Sequence, residues 1–157
     1  MSICRFPLIV GGALIAVGAL SACESMPMVQ TGKPPAVVEM KATMTAAKEV
    51  PPKSSNGEGY AFITYNEGTR ALTWKVYFSG LTGPATAAHF HGPADPTANA
   101  GVAIPLGGGA PSSPITGSAT LTDAQAAQLT SGMWYVNVHT QGNPGGEIRG
   151  QVLPEAW

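Results

Sequence analysis

All three histidines of this 157-residue chain fall within two short motifs. His89 and His91 belong to Ala87-Ala88-His89-Phe90-His91-Gly92, and His139 lies near the end of Tyr135-Val136-Asn137-Val138-His139-Thr140. Residues two apart in a strand point to the same side. A strand here therefore projects His89 and His91 together and sends Phe90 to the opposite, apolar side. In the second motif Trp134, Val136 and Val138 make the apolar face, and Tyr135, Asn137 and His139 the polar one. Glu147, Arg149 and Gln151 alternate with Ile148, Gly150 and Val152 and extend that polar face.

Two imidazoles at i, i+2 and a third from another strand can form a three-nitrogen site for Cu(II) or Zn(II). One coordination position is then left for water or a further ligand. The same residues allow a plainer arrangement, with the imidazoles bonded to backbone carbonyls or to Asn137 and Thr140. Glu147 and Arg149 also have two readings. They form a cross-strand ion pair worth roughly 0–1 kcal/mol if exposed, or they support the site, with Glu147 orienting an imidazole. Asn137 and Tyr135, on the same face, share that supporting position.

These faces require strands, and the chain after the first forty residues reads as strands. Hydrophobicity alternates with period two over Lys41 to Lys48, Gly59 to Tyr65 and Ala71 to Phe78. In the third stretch Leu72, Trp74, Val76 and Phe78 share one side, and Thr73, Lys75, Tyr77 and Ser79 the other. The turn Asn66-Glu67-Gly68 joins the second and third into a hairpin. Ala85 to His91 is the next strand. A Gly/Pro/Ser-rich passage follows from Gly92 to Pro114, with Val102 to Leu106 as its strand candidate.

Ile115 to Leu121 is extended again. Thr122-Asp123-Ala124-Gln125 has capping-box spacing, which predicts a short helix over Asp123 to Thr130 stopped by Gly132. Met133 to Thr140 and Gly146 to Leu153 are the last strands. The expected class is all-β: a Greek-key antiparallel β-sandwich or barrel with one short helix. Gly 20 and Pro 14 agree with many tight turns.

The N-terminus reads as an address. Phe6 to Leu20 is apolar apart from glycine and Pro7, and Arg5 precedes it. Such a stretch, about fifteen residues long, falls short of the ~20 that a bilayer core requires, but it suits a signal peptide. Leu20-Ser21-Ala22-Cys23 then resembles the bacterial lipobox, whose cysteine receives diacylglycerol. The expected division is a signal peptide over 1–22, a lipid-anchored linker over 23–38, and a β-domain over 39–154. Acyl chains on Cys23 would attach the protein to the cell envelope. Glu24, where aspartate would favour inner-membrane retention, points to the outer membrane facing the periplasm. Met26, Met28, Met40 and Met44 offer thioethers to Cu(I), although the proline-rich tether explains the first two without it.

Composition removes several classes. Cys4 and Cys23 are the only cysteines, so the domain has no internal disulfide, thiolate zinc site or cysteine nucleophile. Formal charge is −1 and the basic residues are scattered, so nucleic acid is not an expected partner. No serine or threonine occupies a nucleophile motif.

Beyond single motifs, the chain resembles the CHRD (chordin-type) domain family. The resemblance is carried by Glu49-Val50-Pro51-Pro52 and Gly80-Leu81-Thr82-Gly83-Pro84 leading into Ala88-His89-Phe90-His91-Gly92. It continues through Tyr135-Val136-Asn137-Val138-His139-Thr140 and Gly145-Gly146-Glu147-Ile148-Arg149-Gly150-Gln151. It implies a secreted or surface β-domain without a settled activity. A more distant likeness is to copper/zinc superoxide dismutase, a Greek-key sandwich with a His-x-His copper pair. This chain lacks that family's larger histidine set, its disulfide and an evident zinc loop.

The leading expectation is a lipid-anchored extracytoplasmic domain binding copper, in preference to zinc, through His89, His91 and His139, for sequestration, delivery or protection. Two others stand beside it. One is a non-catalytic interaction or adhesion module of the cell envelope, whose Gly92 to Pro114 passage and polar face contact another protein or the envelope itself. The other is a redox enzyme for superoxide or peroxide, with Arg149 steering the anion.

Overall fold

The structure, a computed structural model, describes residues 36–155. The expected signal peptide, Cys23, Met26, Met28 and most of the expected linker lie outside them. The described residues belong to one compact unit, Lys33–Trp157, which holds the whole hydrophobic core described here.

Among the described residues nine strands and one α-helix follow in order: β1 (Val37–Thr45), β2 (Glu58–Asn66), β3 (Ala71–Ser79), β4 (Ala85–His91), β5 (Val102–Pro105), β6 (Ile115–Thr120), α1 (Asp123–Thr130), β7 (Tyr135–Thr140), β8 (Ile148–Gln151) and β9 (Leu153–Pro154). They form one antiparallel sheet ordered β5-β4-β7-β8-β1-β2-β3-β6, with β9 also on β1. The chain crosses between the halves of this order after β3, after β5 and after β6, as Greek-key connectivity requires. Although β4 and β3 are far apart along the sheet, Phe90 packs edge-on against Trp74 at 5.6 Å and lies 5.9 Å from Trp134. The sheet therefore curls until its two halves share a core. The domain is all-β, a sandwich nearly closed into a barrel.

Period-two alternation explains what that core contains. Leu72, Trp74 and Val76 from β3 are buried while Thr73 and Lys75 are exposed. Met40, Ala42 and Met44 occupy the matching positions of β1. Both methionines are thus core residues, and their thioethers serve packing rather than Cu(I).

β1 begins at Val37, earlier than Lys41, because its register with β2 runs unbroken from Val37↔Asn66 to Thr45↔Glu58. It ends at Thr45, and Ala46–Lys48, expected as the end of the strand, is a 3-10 helix that buries Ala46. The final strand divides into β8 and β9 where the chain changes its contact with β1.

The helix forms where the capping spacing placed it. Thr122 Oγ1 accepts from the Gln125 amide at 3.2 Å, and the Thr122 amide donates to Gln125 Oε1 at 3.0 Å. Leu129 is its buried contact, and Trp134 Nε1 donates to Gln128 Oε1 at 3.2 Å, which ties helix to core.

β8 approaches β1 closely at Gly150, where a Cβ would lie 2.5 Å from the Thr43 carbonyl oxygen. Relief would need the two backbones to separate. Gly150→Ala is expected to lower stability by about 1–3 kcal/mol in urea unfolding, and an unchanged midpoint would contradict this packing.

Candidate metal centre

β4 and β7 lie side by side, pairing His89 with Asn137, His91 with Tyr135 and Ala87 with His139. Phe90, Val136 and Val138 enter the core, so the three histidines share the outer face, as strand parity predicts. They meet there. His89 Nδ1 is 3.0 Å from His139 Nε2, and the ring centroids of His89 and His91 are 5.4 Å apart. One nitrogen from each ring lies within 4.8 Å of the others, a grouping that could hold a metal ion. Ligands at ~2.1 Å from one ion lie about 3.0–3.4 Å apart in cis or tetrahedral positions, so the rings would close in by up to about 1–2 Å to share it.

The backbone selects which nitrogens are available. His91 Nδ1 donates to the Ala100 carbonyl at 3.0 Å, and His139 Nδ1 donates to the Pro144 carbonyl at 2.9 Å. Each therefore turns Nε2 and its lone pair toward the cluster. His91 Nε2 is buried and has no hydrogen-bond partner, so its lone pair is free to ligate a metal. The carbonyl-bonded arrangement and the metal-ligating arrangement of the sequence analysis are thus compatible, one at each ring nitrogen.

Burial lowers the pKa of all three imidazoles. At His89 the neighbouring His139 adds to the effect; at His91 and His139 the Ala100 and Pro144 carbonyls partly oppose it. Neutral imidazole is the ligating form, so desolvation here favours metal capture.

The polar face is not an open surface, because β7 is buried on both sides. Its cover is the start of the Gly92 to Pro114 passage, held down from beneath. Arg149 donates to Asn99 Oδ1 at 3.0 Å, to the Asp95 carbonyl at 3.1 Å and to the Ala98 carbonyl at 2.8 Å. Gln151 Nε2 donates to the Ala94 carbonyl at 2.9 Å. The Tyr135 ring stacks on His91 at 4.9 Å and 6°, and the Arg149 guanidinium sits 3.5 Å from the centre of that ring. Tyr135 therefore packs directly against a candidate ligand.

Two expectations for this face need correction. Glu147 does not orient an imidazole, and it does not pair with Arg149. It accepts instead from Ser55 Oγ, the Thr82 amide and hydroxyl, Thr140 Oγ1 and Asn143 Nδ2. The chain turns at Gly146 with φ 127°, so regular alternation begins only at Ile148. Burial pushes the Glu147 carboxyl up, but the hydroxyls of Ser55, Thr140 and Thr82 outweigh it and hold the pKa at about 2.

Asn137 does belong to the face, with an unforeseen partner. Its Nδ2 donates to Glu49 Oε1 at 2.8 Å, while its Oδ1 is buried without a bond. Glu49 is 4% exposed, and burial raises its pKa to about 7 against the opposing charge of Arg149. In the sequence Glu49 opens the Glu-Val-Pro-Pro turn, where only its place in a matching segment singles it out.

The two carboxylates act oppositely on stability. Glu147, with its pKa depressed, favours the fold above about 4.5, and this is lost as pH falls toward about 2. Glu49, with its pKa raised, favours the fold below about 4.5, and this is lost as pH rises through about 7. Glu49→Gln fixes the uncharged form. Its melting temperature in the metal-free state should therefore fall less between pH 5.5 and 8.5 than that of the wild type, in scanning calorimetry at a series of such buffers. Parallel profiles would refute the assignment. Glu147→Gln should cost about 2 kcal/mol at neutral pH, since a carboxamide cannot accept from all these donors.

The sequence model of the CHRD domain family matches residues 40–152. No curated protein and no solved structure gives a match. The match covers the strands that carry all three histidines, together with Glu49 and the covering passage, and the chain belongs to the CHRD domain family.

Proposed function

We propose that this CHRD domain is a metal-binding module of the bacterial cell envelope. It holds one copper ion through His89 Nδ1, His91 Nε2 and His139 Nε2, for sequestration, delivery or protection. The observation that carries this reading is the meeting of three imidazoles with a buried, unpartnered Nε2 among them. Three neutral nitrogens with no thiolate suit a divalent ion of the later first-row metals, and Cu(II) binds such sites more tightly than Zn(II). The ion would supply a Lewis-acidic, redox-active centre. The protein's part is to fix two of the three tautomers, to exclude water with the covering passage, and to stack Tyr135 on His91.

The envelope location rests on the N-terminal reading: a cleaved leader, acyl chains on Cys23, and a tether to the outer membrane. A protein of the same compartment that gives or receives the ion would be the partner. Competing readings draw less from the geometry. The adhesion module would be favoured by imidazoles that point apart, and these converge. Anion steering by Arg149 toward the ion is blocked by Tyr135 and by the loop carbonyls to which the guanidinium is bonded.

Isothermal titration of residues 33–157 with Cu(II) and Zn(II) at pH 7 tests the metal. One equivalent of Cu(II) should bind with Kd below about 10 μM, more tightly than Zn(II), and His91→Ala or His139→Ala should weaken it at least about 100-fold. Absence of binding, or indifference to both substitutions, would remove the proposal. For the anchor, Cys23→Ser should abolish incorporation of labelled fatty acid and release the protein from the membrane fraction. Retention of the label would locate the acyl group elsewhere.

A further inference from the structure

Arg149 is 1% exposed, yet among the described residues no carboxylate oxygen lies within 4.0 Å of it. Its partners are two backbone carbonyls, the Asn99 amide oxygen and the Tyr135 ring, all neutral. The charges of Glu49 and Asp95 reach it only from a distance, and a buried guanidinium with no anion bonded to it is an expensive arrangement. Arg149 also lines a groove of about 1060 Å³ beside β1, so its charge acts on whatever that groove holds. That volume is at the upper end of small-molecule sites, typically about 300–1,000 Å³.

The groove has an apolar side and a cationic side. Val50, Pro52, Pro96, Leu153 and Pro154 supply the apolar wall, and Leu153 is 52% exposed. Lys41 and Lys48 supply the other lining charges of positive sign. Lys41 is neutralised by Glu155 at 2.5 Å, whereas Lys48 Nζ bonds only to the neutral Thr43 carbonyl at 2.6 Å. The remaining lining carboxylate, Glu49, loses its charge readily because burial holds its pKa near neutrality. Lys48 and Arg149 are therefore incompletely compensated, and both face an apolar surface large enough for a hydrocarbon chain.

We propose that this groove is a binding site for a small organic anion, an apolar body bearing one carboxylate. The carboxylate faces Lys48 and Arg149, and the apolar body covers Leu153 and the neighbouring prolines. The site is distinct from the histidine cluster. β7 runs between β4 and β8, and the Tyr135 ring, contacted by both His91 and Arg149, belongs to it. The inference does not depend on a bound metal.

The test uses residues 33–157 in the presence of a chelator, with octanoate as probe and 1-octanol as its uncharged counterpart of equal length. Octanoate should bind saturably, at least about tenfold more tightly than octanol. Lys48→Glu and Leu153→Asp, both at exposed positions and therefore compatible with folding, should each weaken octanoate at least about fivefold. The proposal is overturned if octanol binds as tightly as octanoate, if both substitutions leave octanoate binding unchanged, or if no saturation is reached by about 5 mM. Because metal is chelated throughout, failure here leaves the copper reading untouched, and failure of copper titration leaves this site untouched.

Discussion

The bonds from Arg149 to the carbonyls of Asp95 and Ala98 hold the covering passage on the sheet, and much of the site follows from that attachment. Once residues 94–100 lie across β7 and β8, the Ala100 carbonyl reaches His91 Nδ1 and fixes its tautomer. The same cover desolvates His91, lowers its pKa and leaves Nε2 without a partner. Tyr135 is trapped between a guanidinium and an imidazole, and its hydroxyl accepts from the Ala100 amide at 3.2 Å. A polar sheet face thereby becomes an interior, in which most donors and acceptors have fixed partners while His91 Nε2 and Asn137 Oδ1 have none.

Much of the fold was legible because a strand's alternation is a local property. The parity of Leu72, Trp74 and Val76, or of Phe90 between two histidines, needs no knowledge of what lies opposite. The capping box at Thr122 is equally local, and it places the helix at Asp123–Thr130. The polar strand faces of His89, His91 and His139 were legible as well; that β4 and β7 are neighbours, and so that the rings meet, was not.

What escaped the sequence concerns partners. Glu147 has the parity of Arg149, yet its bonds run to Ser55 and Thr82, which are 92 and 65 residues away. Glu49 meets Asn137 across 88 residues. Alternation assigns a side to each residue but says nothing about which loop will fold over that side. A run rich in glycine and proline, such as Gly92 to Pro114, carries no periodic pattern from which to read its role as cover. The pairing suggested for Glu147 and Arg149 was the local solution. Distant hydroxyls for one and loop carbonyls for the other displaced it.

The three imidazoles are not held alike. His91 and His139 are each anchored through Nδ1 to a backbone carbonyl, and both are at most 9% exposed. His89 is less buried, and its ring contact runs to His139. An ion in this nest would have two rigid jaws and one hinged one, with the hinged side facing solvent. Exchange with an incoming chelator would then start at His89, while the deeper pair kept its geometry for the next ion.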